Sequence, residues 1–174
     1  MAAPLKSRKL FCLWLACACG LIAADQWIKV LVVEHFYYGQ SVPVTSFFNL
    51  VRAHNTGAAF SFLANAGGWQ HWFFIGIAGV VAISLVVMLW YNSAQKMVSL
   101  AMACILAGAV GNVIDRICLG YVVDYLDFYW RDMHFPAFNL ADIAICVGAG
   151  MLILNEVIQL VRKKPAKENN SEKR

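Results

Sequence analysis

Residues 122–145 read VVDYLDFYWRDMHFPAFNLADIAI. Most of this stretch is apolar or aromatic, as expected where a chain meets a bilayer boundary. Yet Asp124, Asp127, Asp132 and Asp142 are set into it, and Asn139 stands just ahead of Asp142. A carboxylate beside hydrocarbon is costly, and one that persists there normally has a function and a partner. Pro136 breaks the stretch, and beyond it apolar text runs on to residue 161. The second half therefore reads as the start of a spanning helix, with Asn139 as N-cap and Asp142 as a first-turn acid favoured by the helix dipole. That reading leaves Asp124, between Val123 and Tyr125, unexplained.

Working outward, the chain has 174 residues, 61% hydrophobic and only 14% charged. Soluble domains carry about 25% charged residues, so the sequence is that of an integral membrane protein. A spanning helix needs about 20 largely apolar residues, and residues 10–33, 72–91, 97–114 and 138–161 come close to that. The first resembles a signal peptide, and LACACG within it faintly resembles a lipoprotein cleavage box. Residues 21–33 carry the apolar text past any such site, so a retained helix is expected. Lys6, Arg8 and Lys9 precede the first span, and Arg162, Lys163, Lys164, Lys167, Lys173 and Arg174 follow the last. Both termini are then cytoplasmic, as is the link NSAQK, while the connections 34–70 and 115–137 face outward. The expected fold is an all-α membrane bundle of four transmembrane helices in one domain, residues 1–161, with 162–174 as a basic, disordered tail. SVPVTSFFNLVRAHNTGAAFSF is rich in Val, Thr and Phe and broken by Pro43 and Gly57. It predicts a small extracytoplasmic β-sheet between spans one and two, with a turn at NAGGW before span two.

Several polar residues need partners. Asp25 and Lys29 are four apart on one helical face and read as an intrahelical ion pair. Asn112, Asp115 and Arg116 share a face of span three, where Gly108 and Gly111 allow a neighbouring helix to come close. That face reads either as a helix-end salt bridge or as a functional surface, and Asn112, the deepest, calls for partners inside the bundle. Asp124 and Asp142, arriving from opposite sides of one outer loop, are placed to meet over the bundle. Two adjacent carboxyls cannot both ionise cheaply, so they share a proton, the logic of an aspartic protease. Asp127 and Asp132 are expected to be solvated, and Glu156 to reach water near the cytoplasmic surface. His35, His54, His71 and His134 have no H-E-x-x-H spacing, and the six cysteines form no C-x-x-C pair. Ser61 and Ser99 have no evident base beside them. No metal, organic cofactor or nucleic-acid partner is expected.

NTGAAFS (55–61), GNVIDR (111–116), VVDY (122–125) and FNLAD (138–142) occur in that order. With four spans and basic ends, the set resembles the lipoprotein signal peptidase (signal peptidase II) family over residues 10–161. The resemblance implies an aspartic endopeptidase of the bacterial inner membrane, with its active site at the periplasmic face. Its substrates would be prolipoproteins carrying a diacylglyceryl group, cut just before the lipidated cysteine. The implied catalytic pair falls on Asp124 and Asp142. Positions that support the site or contact substrate fall on Asp25, Asn55, Asn112, Asp115, Arg116 and Asn139. Ser61 stands where the family often has glycine. Its partners would be lipidated precursors and membrane lipid, and a monomer would suffice. Two competing readings are a small proton-coupled transporter or channel subunit, and a non-catalytic assembly factor that only binds lipoproteins. Acids concentrated at one membrane face speak against the transporter, and no internal repeat supports one.

Overall fold

The computed structural model describes residues 6–57 and 69–163. The NAGGW turn before Trp69, the end of NTGAAFS with Ser61, and the tail from residue 164 lie outside the described residues. The helices are α1 (Arg8–His35), α2 (Trp69–Asn92), α3 (Lys96–Leu119) and α4 (Leu140–Lys163). Each contains a segment long and apolar enough to cross a membrane. The expected spans agree with them to within three residues at every end except one. The exception is α3, expected to stop at 114 but running on to Leu119. Gly120 ends it at φ 85°, a left-handed conformation that favours glycine, and returns its N–H to the Arg116 carbonyl. Asp115 and Arg116 are therefore helical and do not open an outer connection.

Ser7 caps α1 by accepting from Leu10 N at 3.4 Å. Its own N–H donates to Ser93 Oγ at 2.9 Å, and Trp14 Nε1 donates to Ser93 O at 2.9 Å. These bonds pin the α2–α3 link beside the start of α1. Helix α3 is the spine, packing extensively on α1, α2 and α4. Its contact face is made of small and flexible residues: Ala103, Ala107, Met102 and Leu106 meet Ala18, Leu85 and Leu89. The closest approach is to α4. A Cβ on Gly108 would run into the Ala141 carbonyl oxygen and lie 2.6 Å from Ile145 Cγ1, and one on Gly111 would lie 2.8 Å from Asp25 Oδ2. The pair thus permits the close packing read from the sequence.

A sheet covers the end of the bundle away from that link. Its strands are β1 (Ser41–Thr45), β2 (Phe48–Asn55), β3 (Val122–Trp130) and β4 (Met133–His134), antiparallel and in that order. The sheet is thus not confined to the connection between the first two helices; half its strands come from the second connection. The reason lies in the opening stretch, whose β-branched and aromatic residues pair with β2: Phe48 opposite Phe128, Leu50 opposite Leu126, Ala53 opposite Asp124. Asp127, opposite Asn49, is 6% exposed and accepts from Asn49 Nδ2 at 2.8 Å, with His134 Nδ1 2.9 Å from its oxygens. Strand pairing therefore buries an acid expected to be solvated, whereas Asp132 is exposed as expected. Strand β1 is exposed throughout and irregular between Pro43 and Thr45. Arg52 joins sheet to bundle: its Nη1 donates to the Val33 and Phe36 carbonyls, at 3.0 and 2.8 Å, closing the C-terminal end of α1.

Replacing Gly108 with Leu should cost about 1–3 kcal/mol by overpacking and lower the unfolding temperature in detergent. The same change at Gly79, which has nothing within 4 Å of its Cβ position, should leave that temperature nearly unchanged.

Candidate active site

The site is assembled by a short splice between β3 and the residues before α4. Tyr125 N and Leu126 N donate to Phe138 O at 3.1 and 2.9 Å, and Phe138 N donates to Leu126 O at 3.1 Å. This bridge sets Asp124, two residues before Leu126, alongside the first turn of α4. The N-terminal N–H groups of a helix lack intrahelical partners and must find others. Leu140 N donates to Tyr125 Oη at 3.1 Å, Ala141 N to Asp25 Oδ1 at 3.0 Å, and Asp142 N to Asn139 Oδ1 at 3.0 Å. Asp142 answers by accepting from Asn139 N at 3.2 Å, a reciprocal cap. The expected capping role of Asn139 and Asp142 is thus present, and it accompanies a second role.

That second role is the contact with Asp124. Asn139, fully buried, also donates through Nδ2 to Asp124 Oδ1 at 2.7 Å. One residue therefore holds both carboxyls, Asp124 by its side chain and Asp142 by its backbone. Asn55 Nδ2 donates to the other Asp124 oxygen at 3.1 Å, and Asn112 Nδ2 donates to Asp142 Oδ1 at 2.8 Å. Burial first, and the neighbouring Asp142 charge second, push the Asp124 carboxyl up from 3.8 to about 7. Tyr125, pushed up to about 12 chiefly by burial, stays a neutral phenol whose oxygen accepts from the helix.

Behind the pair lies a buried ionic layer. Lys29 Nζ sits 2.9 Å from Asp25 Oδ2, 2.9 Å from Asp115 Oδ2 and 3.0 Å from Asn112 Oδ1. The ion pair read from the i, i+4 spacing is present, but it forms one corner of a larger cluster. Gln26 Nε2 adds 2.8 Å to Asp115 Oδ1 and 3.1 Å to Gly111 O, and Asp115 Oδ2 accepts from Val123 N at 3.0 Å. Asp115 therefore pairs with Lys29 rather than with its neighbour Arg116. Arg116 instead donates to Gly57 O at 2.8 Å and Asn112 O at 3.2 Å, with its guanidinium 5.4 Å from the Phe74 ring centroid. Gly57 N in turn donates to Asn55 Oδ1 at 3.0 Å, so Arg116 and Asn55 tie the end of β2 to the site.

Every motif residue read from the sequence (Asp25, Asn55, Asn112, Asp115, Arg116, Asp124, Asn139 and Asp142) thus falls in one connected network. Sequence reasoning missed Gln26 and Tyr125, and gave Lys29 only one of its partners. Gln26 left a usable signal: it is a polar residue beside Asp25 inside an apolar helix. Among the described residues no buried side-chain nitrogen or oxygen lacks a hydrogen-bond partner, which marks the network as preorganised. Among the same residues, no three His, Cys, Asp or Glu side chains are gathered to hold a metal ion. Two carboxyls held by one residue, 2.7 Å from its side-chain amide and 3.2 Å from its backbone N–H, are groups of the kind that can pass protons to and from a water and a carbonyl oxygen.

Comparison with known proteins bears on what this network is for. A family model described as signal peptidase (SPase) II matches residues 17–158. A lipoprotein signal peptidase of Cupriavidus pinatubonensis is 54% identical over 151 residues, covering 87% of this chain and 85% of that protein. One from Yersinia pestis is 46% identical over 175 residues, covering 99% and 100%. A solved bacterial membrane enzyme superposes with a TM-score of 0.75 at 28% identity, covering 96% of each chain.

In the Asp142→Asn protein the neighbouring charge disappears while burial of Asp124 remains. The Asp124 carboxyl should then titrate below about 7, still above an ordinary carboxylate. Infrared or carbon NMR titration of that carboxyl reads the change, and an unmoved midpoint would contradict the coupling.

Proposed function

The chain belongs to the signal peptidase II family, and from that premise we propose that Asp124 and Asp142 are its catalytic dyad. Membership makes it a multi-pass protein of the bacterial inner membrane and a peptidase that removes signal peptides from prolipoproteins. The finer reading is an aspartic endopeptidase acting on diacylglyceryl-modified precursors, cutting just before the lipidated cysteine. The observation that carries it is the double hold of Asn139 on both carboxyls.

In the resting dyad Asp124 carries the shared proton, because it is almost wholly buried (3% exposed) while Asp142 is only partly so. Asp142 carries the charge, facing two N–H donors and the N-terminal end of α4. Water gives a proton to Asp142 as its oxygen bonds to the scissile carbonyl carbon, and Asp124 gives its proton to the carbonyl oxygen. The resulting gem-diol collapses with rupture of the C–N bond. The leaving amine takes the proton from Asp142, and one diol hydroxyl returns a proton to Asp124. Asn112 and Asn139 hold the pair, and Arg116 holds the Asn55–Gly57 segment that borders it. The basic flanks support a reading with both termini in the cytoplasm and the site at the periplasmic face, where the cleavage site of a membrane-held precursor lies. A monomer supplies every group named.

Asp124→Asn and Asp142→Asn should each lower processing of a lipidated precursor by about a thousandfold or more with unchanged helicity. Wild-type cleavage by either protein would sink the dyad. For the native enzyme the rate should fall as pH rises through about 7, where Asp124 loses its proton. A rate still climbing well above that pH would assign the proton elsewhere.

A further inference from the structure

The third contact of Lys29 differs in kind from the other two. An ammonium has three N–H donors, and two of its acceptors, Asp25 and Asp115, already exceed its charge. The third is the amide oxygen of Asn112, at 3.0 Å. A carboxylate presents an acceptor whichever way it turns, but an amide has one donor end and one acceptor end. With Oδ1 held by Lys29, Asn112 must offer Nδ2 on its other side, where Asp142 Oδ1 lies at 2.8 Å. Turned over, the amide would set its NH2 against the ammonium and its carbonyl against the Asp142 carboxylate. Both contacts would be repulsive. Asn139 Nδ2 also reaches Asn112 Oδ1 at 3.2 Å, but its shortest contact is to Asp124 at 2.7 Å. Arg116 does not duplicate the role, since it meets the backbone carbonyl of Asn112.

We propose that Lys29 is a positioning residue for the reaction: through Asn112 it fixes which end of an amide meets Asp142, and so keeps that carboxyl oriented as the acceptor that takes the proton from water. The inference rests on the reading of Asp124 and Asp142 as the dyad. It gives a catalytic purpose to a buried lysine whose ion pairs alone would account only for stability.

A double-mutant cycle separates the two roles. Lys29→Met, Asn112→Ala and the double variant of the full chain are purified in detergent and assayed on a diacylglyceryl-modified precursor. Lys29→Met should lower kcat about 10–100-fold with KM within about twofold, the pattern of a misplaced catalytic group. Added to Asn112→Ala, it should cost no more than about a further threefold. Losses that multiply, or a KM that rises while kcat holds, overturn the proposal. Because Lys29→Met strips Asp25 and Asp115 of their shared cation, the cycle is repeated with Asp115→Asn in every arm, which returns the Lys29→Met arms to the cluster's native net charge. The same non-additivity is expected there, and independent losses in that background overturn the proposal equally. Cleavage by Asp124→Asn or Asp142→Asn would instead overturn the dyad. Inactive dyad variants with independent losses at Lys29 and Asn112 would overturn the positioning role alone.

Discussion

The start of a helix that crosses hydrocarbon carries N–H groups with no partner in its own turn, and α4 begins beside the buried Asn139 and Ala141. That debt organises the rest of the molecule. The donors of Leu140, Ala141 and Asp142 are met by a tyrosine from β3, an aspartate from α1 and the Asn139 cap. Three separate parts of the chain must therefore converge on one turn before α4 can be seated. Glycines at 108 and 111 let α3 come close enough for Asp25 to reach across. The site sits where it does because this is the point at which the fold has to gather polar side chains.

Gathering them creates a second demand, since each buried carboxylate needs a counterpart. Lys29 answers Asp25 and Asp115 together, and Arg116 lies within the electrostatic reach of Asp142, Asp124 and Asp115. Amides separate the fully ionic cluster from the two remaining carboxyls: Asn112 lies between Lys29 and Asp142, and Asn139 between Asp142 and Asp124. Breaking one member of such a network strands another, so buried groups of this kind are strongly coupled.

Much of this was legible in the residues and some was not. Helices announced themselves through apolar length, and the start of α4 through Pro136 and Asn139. The pairing of Asp25 with Lys29 follows from helical spacing, and a close approach of some neighbouring helix to α3 from Gly108 and Gly111, though which helix does not. Contacts between elements left weaker traces. Nothing local to Lys29 says that Asn112, 83 residues away, would be its third acceptor. In the sequence the strand at 122–130 reads as loop because its four buried opening residues lack the alternation of a half-exposed strand. Asp127 reads as solvated from its own stretch because its cover, Asn49 and His134, comes from β2 and β4. Asp115 and Arg116 looked like the end of α3, since charges ordinarily close a span, and only their tertiary partners hold them inside it.

The sheet has two borders, β1 and the two-residue β4, and the longer of them, β1, is blunted. Pro43 interrupts its row of amide donors and the register slips between Pro43 and Thr45, the devices by which exposed strands avoid recruiting other chains. For a peptidase that acts on prolipoproteins, this matters. A segment meeting β1 finds its row of backbone groups interrupted, which disfavours its addition there as an extra strand.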